Sequence, residues 1–294
     1  MITHTRADVL HIGYPKSAST FVGQFLKNHS EVTTDHNCLA ELLLPHPTSD
    51  PCIIAEKPNP DKIHISRDES IAESVCVIGE LRTWQRYLYV PNAWDRVKSD
   101  IVVDPFETAA RLHKVHPSAR VLMLIREQVD WLQSAYKFVI SQLPANQRSF
   151  SDYCTTPSGI VFLKAGHFDQ TIGAYVDIFG SQRVRVLRFE DIVTAPSRFA
   201  AELCAFVGIS ERSIPQSRAN ETHALMTKIQ RLLPIVERLP RGVKDAVKPH
   251  AMRLLPGARA SILSSRDARL LRSMYVASNQ RTEKLIAQLP GSRR

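Results

Sequence analysis

The chain has 294 residues, 44% of them hydrophobic and 23% charged, which is ordinary for a globular protein and enough for a sizeable core in one large α/β domain. Its formal net charge of +9 favours polyanionic partners, among them nucleotides, nucleic acid, acidic glycans and a membrane surface. No apolar run approaches the roughly 20 residues that span a bilayer, and the opening MITHTRADVL lacks the charged-then-apolar pattern of a signal peptide, so a cytosolic (cytoplasmic) protein is expected.

Taken in order, Val9, Leu10 and Ile12 predict a short apolar strand that runs into a polar turn carrying Lys16, Ser17, Ser19 and Thr20. A helix follows, with Phe21 and Phe25, and Val22 and Leu26, at i,i+4 spacing on an inward face. A strand–turn–helix leaves unpaired N–H groups where the helix dipole is positive. With a lysine and three hydroxyls, that turn suits a phosphate or sulfate group. An ordinary turn capped by serine fits the same residues.

Val32 begins a further extended piece, and Leu39 to Leu44 predicts a brief helix containing Glu41. Five prolines between Pro45 and Pro60 mark an irregular connection. Lys62 to Ser66 alternates like a strand and ends at Arg67-Asp68-Glu69-Ser70. Sites in open α/β sheets collect at the carboxyl ends of strands, which singles out Glu69. A charge at a helix N-terminus is its plain alternative. Between Ser74 and Val103, Trp84, Tyr87, Tyr89 and Trp94 mix with Arg82, Arg86, Arg96 and Lys98. That mixture fits a site for a sugar, a ring or a nucleic-acid base, or the packed interior of helices covering the sheet.

Asp104-Pro105-Phe106-Glu107 predicts a helix start, with Asp as N-cap and Pro at the first helical position, and the helix runs to about His116. His113 and His116 form an HxxH pair with no third ligand nearby, which reads as a solvated helix face. Arg120 to Ile125 is an uninterrupted apolar run typical of a central parallel strand covered on both faces. It ends at Arg126, and Asp130 opens a helix carrying Ser134, Tyr136 and Phe138. Gly166 to Phe179 predicts a helix, Val184 to Phe189 a strand followed by Glu190-Asp191, and Ala195-Pro196 a helix ending near Gly208. The expected class is α/β, a central mostly parallel sheet flanked by helices. Beyond Ser210, Asn220 to Leu239 and Asp267 to Leu289 predict helices, a helical C-terminal lobe packed on the sheet. The five cysteines, Cys38, Cys52, Cys76, Cys154 and Cys204, form no CxxC pair and are expected to be reduced core thiols.

Two strand-end sites stand out: Lys16 with its hydroxyl turn, and Arg126 followed by Ser134. Adjacent parallel strands would bring their carboxyl ends together, and two anion sites flanking one crevice suit a doubly phosphorylated nucleotide. Tyr14-Pro15-Lys16-Ser17-Ala18-Ser19-Thr20-Phe21 resembles the 5′-phosphosulfate loop of the PAPS-dependent sulfotransferases. The segment Ile125 to Tyr136, IREQVDWLQSAY, resembles their 3′-phosphate motif with its Arg-to-Ser spacing. Val186 to Asp191, VLRFED, resembles a third recurring segment of bacterial members. The resemblance covers roughly residues 8 to 210, within one domain spanning 1–294 whose residues 211–294 form a helical extension.

The resemblance implies a P-loop-NTPase-like fold. It implies that Lys16 binds the phosphosulfate and stabilises charge on the bridging oxygen as sulfate leaves. It places Ser17, Ala18, Ser19 and Thr20 around the 5′ phosphate, Phe21 against the adenine, and Arg126 with Ser134 on the 3′ phosphate. It implies PAPS as donor, PAP as product and no metal. Many members carry glycine where Ala18 sits, and alanine there demands a negative φ or tolerates strain. The general base should lie near Lys16; Glu69, His36 and Glu41 are the candidates, with Glu69 favoured by its strand-end position. The expected reaction is sulfuryl transfer to an acceptor hydroxyl on a carbohydrate or glycan, with a small-molecule acceptor left open and no nucleic acid beyond the nucleotide donor. A P-loop kinase is the rival enzyme, although GxxxxGK[ST] is absent and only Gly13 precedes Lys16. A basic nucleic-acid-binding protein is the non-enzymatic rival, without a recognised binding signature.

Overall fold

The computed structural model describes residues 3–36, 53–57, 59–68, 71, 104–140, 150–155, 163–214 and 263–291. Seven strands are present among them: β1 (Thr3–Thr5), β2 (Val9–Gly13), β3 (Val32–His36), β4 (Ile53–Ala55), β5 (Ile63–Arg67), β6 (Arg120–Ile125) and β7 (Val184–Arg188). The described helices are α1 (Ser19–Lys27), α2 (Pro105–Val115), α3 (Gln128–Ile140), α4 (Phe150–Thr155), α5 (Phe168–Phe179), α6 (Phe189–Thr194), α7 (Pro196–Val207) and α8 (Ser265–Gln288). Five strands form a sheet in the order β3-β5-β2-β6-β7, and every pairing is parallel. β1 and β4 form a separate parallel pair, and β4 lies within the proline-marked stretch expected to be an irregular connection.

β6 shows why the sheet is covered on both sides. Its residues alternate in direction, as any strand's do. Val121, Met123 and Ile125 enter one core with residues of α2, α3, α5 and α8. Leu122 and Leu124 enter the other, with Val22, Phe25 and Leu26 of α1 and Phe199 and Leu203 of α7. All five are buried, each worth about 2 kcal/mol by the area it removes from water. A strand with apolar residues on both faces cannot lie on a surface, so helices cover it on both faces.

Local chemistry sets the ends of the helices. The Asp104 side chain accepts a hydrogen bond from the Phe106 N–H at 2.7 Å and starts α2, with Pro105 at its first position. Ser264 caps α8 by accepting from the Asp267 N–H at 3.0 Å, and donates its own hydroxyl to the Asp267 carboxylate at 2.7 Å. Gly208, at φ 79°, closes α7 in the left-handed conformation that favours glycine. α8 packs on α5 and α3. Buried Asp169 of α5 accepts from Arg281 Nε at 2.6 Å and from the Ser278 hydroxyl, so a charged hold fixes the C-terminal helix to the core.

Several expectations shift. α3 opens at Gln128 rather than Asp130, and β7 ends at Arg188, so Phe189 belongs to the short helix α6. The HxxH pair is not a solvated face. His116 is buried at the end of α2 and its Nδ1 accepts from the Ala7 N–H at 3.1 Å, while the His113 ring meets the edge of Phe179 at 4.9 Å. Ala7, between β1 and β2, lies 109 positions from His116, so local spacing does not show this partner. Cys154 and Cys204 carry free thiols. Glu41 with its brief helix, Ser74 to Val103 and Asn220 to Leu239 lie outside the described residues.

Candidate functional site

β2 and β6 are neighbours, so the two polar segments that follow them leave the sheet side by side. Register places His11 opposite Leu122 and Gly13 opposite Met123, and the Tyr14 N–H still donates to the Leu124 carbonyl at 2.6 Å. The segment between Gly13 and Ser19 then turns sharply. Lys16 and Ala18 both stand in the left-handed region, at φ 64° and 66°. Neither is glycine, so each costs about 1–2 kcal/mol of backbone strain. Of the alternatives open to Ala18, the strained one holds: it is the N-cap of α1, without a side-chain cap. Ser17 is fully buried, and its Oγ has no hydrogen-bond partner among the described residues. A buried hydroxyl in that condition costs about 1–3 kcal/mol. Ser19 is buried, Lys16 half-buried and Thr20 exposed. Phe21 is half-buried against the core on the α1 side of the sheet.

The second segment is built against the first. Trp131 of α3 is fully buried, and its indole N–H donates to the Pro15 carbonyl at 2.8 Å. Beneath that bond lie three rings. Tyr14 meets Trp131 edge-on at 5.7 Å, and Phe168 packs on Tyr14 at 4.5 Å and on Trp131 at 5.5 Å. Residues from both motifs therefore share one aromatic support. Arg126 and Glu127 are the two residues between β6 and α3. The Arg126 guanidinium lies 4.5 Å from the centre of the Phe189 ring and 3.9 Å from the Asp130 carboxylate, with its side chain about a quarter exposed. Ser134, one helical turn beyond Asp130 on the same face of α3, is half-buried.

On the other side of β2, β5 ends at Arg67, level with His11 of β2 and with His36 of β3. Arg67 lies across Gly23 of α1; a Cβ at position 23 would stand 1.7 Å from its Nη1. Asp68 follows, buried, its N–H donating to the His11 carbonyl at 3.0 Å. Of the three candidate bases, His36 is the last residue of β3, while Glu69 and Glu41 lie outside the described residues. Trp131, Arg67 and Gly23 are parts of the site region to which the sequence reading gave no role. Trp131 had a detectable signal, since a tryptophan on a buried helix face needs an acceptor for its N–H.

A model of the sulfotransferase family matches residues 8–213. The chain belongs to the sulfotransferase family. These are enzymes that take their sulfuryl group from PAPS, which selects sulfuryl transfer over the phosphotransferase and nucleic-acid-binding readings. A sulfotransferase from Alicyclobacillus acidocaldarius shares the fold with a TM-score of 0.58 at 16% identity, over 98% of this chain and 99% of that one. Sulfotransferase STF9 from Mycobacterium avium aligns at 11% identity over 93% of this chain and 76% of that one, with a TM-score of 0.45. Mouse sulfotransferase SULT7A1, in complex with PAP, gives 0.35 at 11% identity over 97% and 84%. The first likeness supports the fold. No curated protein matches the chain. Among the described residues of this sulfotransferase, no helix is long and apolar enough to cross a membrane, and no group of three or more His, Cys, Asp or Glu could hold a metal ion.

Proposed function

We propose that the chain moves a sulfuryl group from PAPS to an acceptor hydroxyl on a carbohydrate or glycan and releases PAP. The observation that supports this reading is the joining of the two strand-end segments through Trp131 and Pro15, which holds the Lys16 turn beside the Arg126 segment. Lys16, Ser17, Ser19, Thr20 and the N–H groups around Ala18 hold the 5′-phosphosulfate. The buried, unpartnered Ser17 Oγ fits such a ligand. Arg126 and Ser134 hold the 3′ phosphate; Arg126 Nε is buried without a hydrogen-bond partner among the described residues. Phe21 offers its open side to the adenine.

Sulfuryl transfer loads negative charge on the bridging oxygen as the S–O bond breaks, and Lys16 stands in the turn where that charge develops. Attack is in line, and Glu69 takes the proton of the acceptor hydroxyl, with His36 and Glu41 next in order. Residues 8–210 carry this chemistry and 211–294 are a helical extension of the same domain. The +9 charge and the aromatic–basic stretch between Arg82 and Lys98 suit a hydroxylated, acidic acceptor.

Calorimetric binding of PAP without metal, to the wild type and to Arg126→Ala, tests the reading. Tight binding that collapses in the variant is expected. A wild type that ignores PAP and binds ATP only with Mg²⁺ overturns it.

A further inference from the structure

The third segment that resembles the family, Val186 to Asp191, has no part in the donor reading above, yet it touches the residue that reading places on the 3′ phosphate. We infer that Phe189 and Glu190 are positioning residues for Arg126, and that together they set how strongly the enzyme prefers a 3′-phosphorylated nucleotide. The inference rests on the assignment of Arg126 to the 3′ phosphate.

β6 and β7 are parallel neighbours, with Ile125 level with Arg188, so their next residues leave the sheet together. Glu190 accepts a hydrogen bond from the Glu127 N–H at 2.9 Å and fixes the backbone of the short turn. Phe189 presents its ring to the Arg126 guanidinium at 4.5 Å and fixes the side chain. Two consecutive residues at one strand end thus hold both parts of the same neighbour.

The kind of hold matters. A carboxylate set against a guanidinium takes two of its five N–H donors. An aromatic ring attracts it through the flat face and takes none, so the in-plane donors stay directed at a phosphate. Three carboxylates stand close by, but two are engaged with backbone. Glu190 is held by the Glu127 N–H, and Glu127 accepts from the Asp130 N–H at 2.7 Å. Asp130 remains at 3.9 Å from Arg126, beyond hydrogen-bond reach. Arg188, the residue before Phe189, pairs with Glu283 of α8 at 2.6 Å, which ties this strand end to the C-terminal helix.

The test compares PAP with adenosine 5′-phosphate, which differs only in lacking the 3′ phosphate, by calorimetry and by displacement. Phe189→Leu should weaken PAP about tenfold and leave adenosine 5′-phosphate within twofold, and Phe189→Tyr should restore PAP binding. Glu190→Gln, which keeps an acceptor for the Glu127 N–H, should change PAP less than Glu190→Ala does. In turnover, Phe189→Leu should raise the KM for PAPS while kcat at saturation holds. Equal weakening of both nucleotides, or unchanged PAP affinity in Phe189→Leu and Glu190→Ala, overturns the inference. If Phe189→Leu does not fold, the paired effects of Glu190→Ala on the two nucleotides decide. Arg126→Ala separates the layers: if it leaves the PAP preference intact, the 3′-phosphate assignment fails, and if it abolishes the preference while the Phe189 and Glu190 variants do not, only the positioning role fails.

Discussion

The indole N–H of Trp131 donates to the carbonyl of Pro15, 116 positions earlier, at 2.8 Å. One residue belongs to the helix after β6 and the other to the turn after β2, so a part-buried hydrogen bond fixes the spacing between the two segments proposed to hold the nucleotide's phosphates. Trp131→Phe keeps the ring and removes the donor, leaving a carbonyl unsatisfied at a cost of about 1–3 kcal/mol. We expect a melting temperature lower by several degrees and PAP binding weakened by about tenfold. Thermal melting and calorimetry on the same variant check both.

Lys16→Ala should abolish sulfuryl transfer while the fold stays intact, since the side chain is half-buried in a turn and outside both cores. Turnover of a generic phenolic or sugar acceptor, with circular dichroism as the control, is the measurement. Transfer at the wild-type rate would remove Lys16 from the mechanism.

Ala18 sits at φ 66°, where a Cβ is strained. Ala18→Gly relieves that strain against a smaller loss of unfolded-state entropy, and should stabilise the protein by about 1 kcal/mol. For a chain of this size the expected rise in melting temperature is about 2–4 °C. A fall would mean that the alanine methyl makes a packing contact worth more than the strain.

Glu69→Gln should cut turnover at least a hundredfold and spare PAP binding, because a general base acts in the transfer step and not in donor recognition. Rates and calorimetry together separate the two. Unchanged turnover would move the base to His36 or Glu41.

Burial raises the thiol of Cys154 from 9.0 to about 11, with Asp267 adding to the shift, and burial likewise raises the Tyr275 hydroxyl, which donates to the Leu163 carbonyl at 2.7 Å. In both, the folded state keeps its proton to higher pH than the unfolded chain does. The contribution of these two groups to stability is constant below about pH 9 and falls as pH rises, because the unfolded state loses protons that the folded state retains. Melting temperature followed from pH 8 to pH 11 should decline above pH 9, and Cys154→Ala should decline less steeply.

The parts of the fold legible in the sequence were those with a local cause. Arg120 to Ile125 reads as a two-face strand because every inward residue is apolar, and the start of α2 is written in Asp104-Pro105. The segments after β2 and β6 were legible as strand ends, and the parallel pairing of those strands puts them side by side. What stayed hidden was decided by distant partners. His116 looked solvated until the Ala7 N–H reached it across 109 positions. Phe189 read as the end of a strand because its ring is apolar, but it turns into α6 and meets Arg126. Arg67 looked like one more charge in a polar turn, since nothing local announces the glycine on α1 over which it lies.

That pair has a consequence for where charge stands. Gly23 and Arg67 share one volume: the guanidinium occupies the space where any side chain on α1 would stand. A substitution at position 23 therefore makes the flexible end of Arg67 swing aside, because every atom it would meet belongs to that side chain and none to the backbone. A larger residue on α1 would send that guanidinium elsewhere at the carboxyl end of β5, so this unremarkable glycine decides where a positive charge stands beside the turn that follows β2.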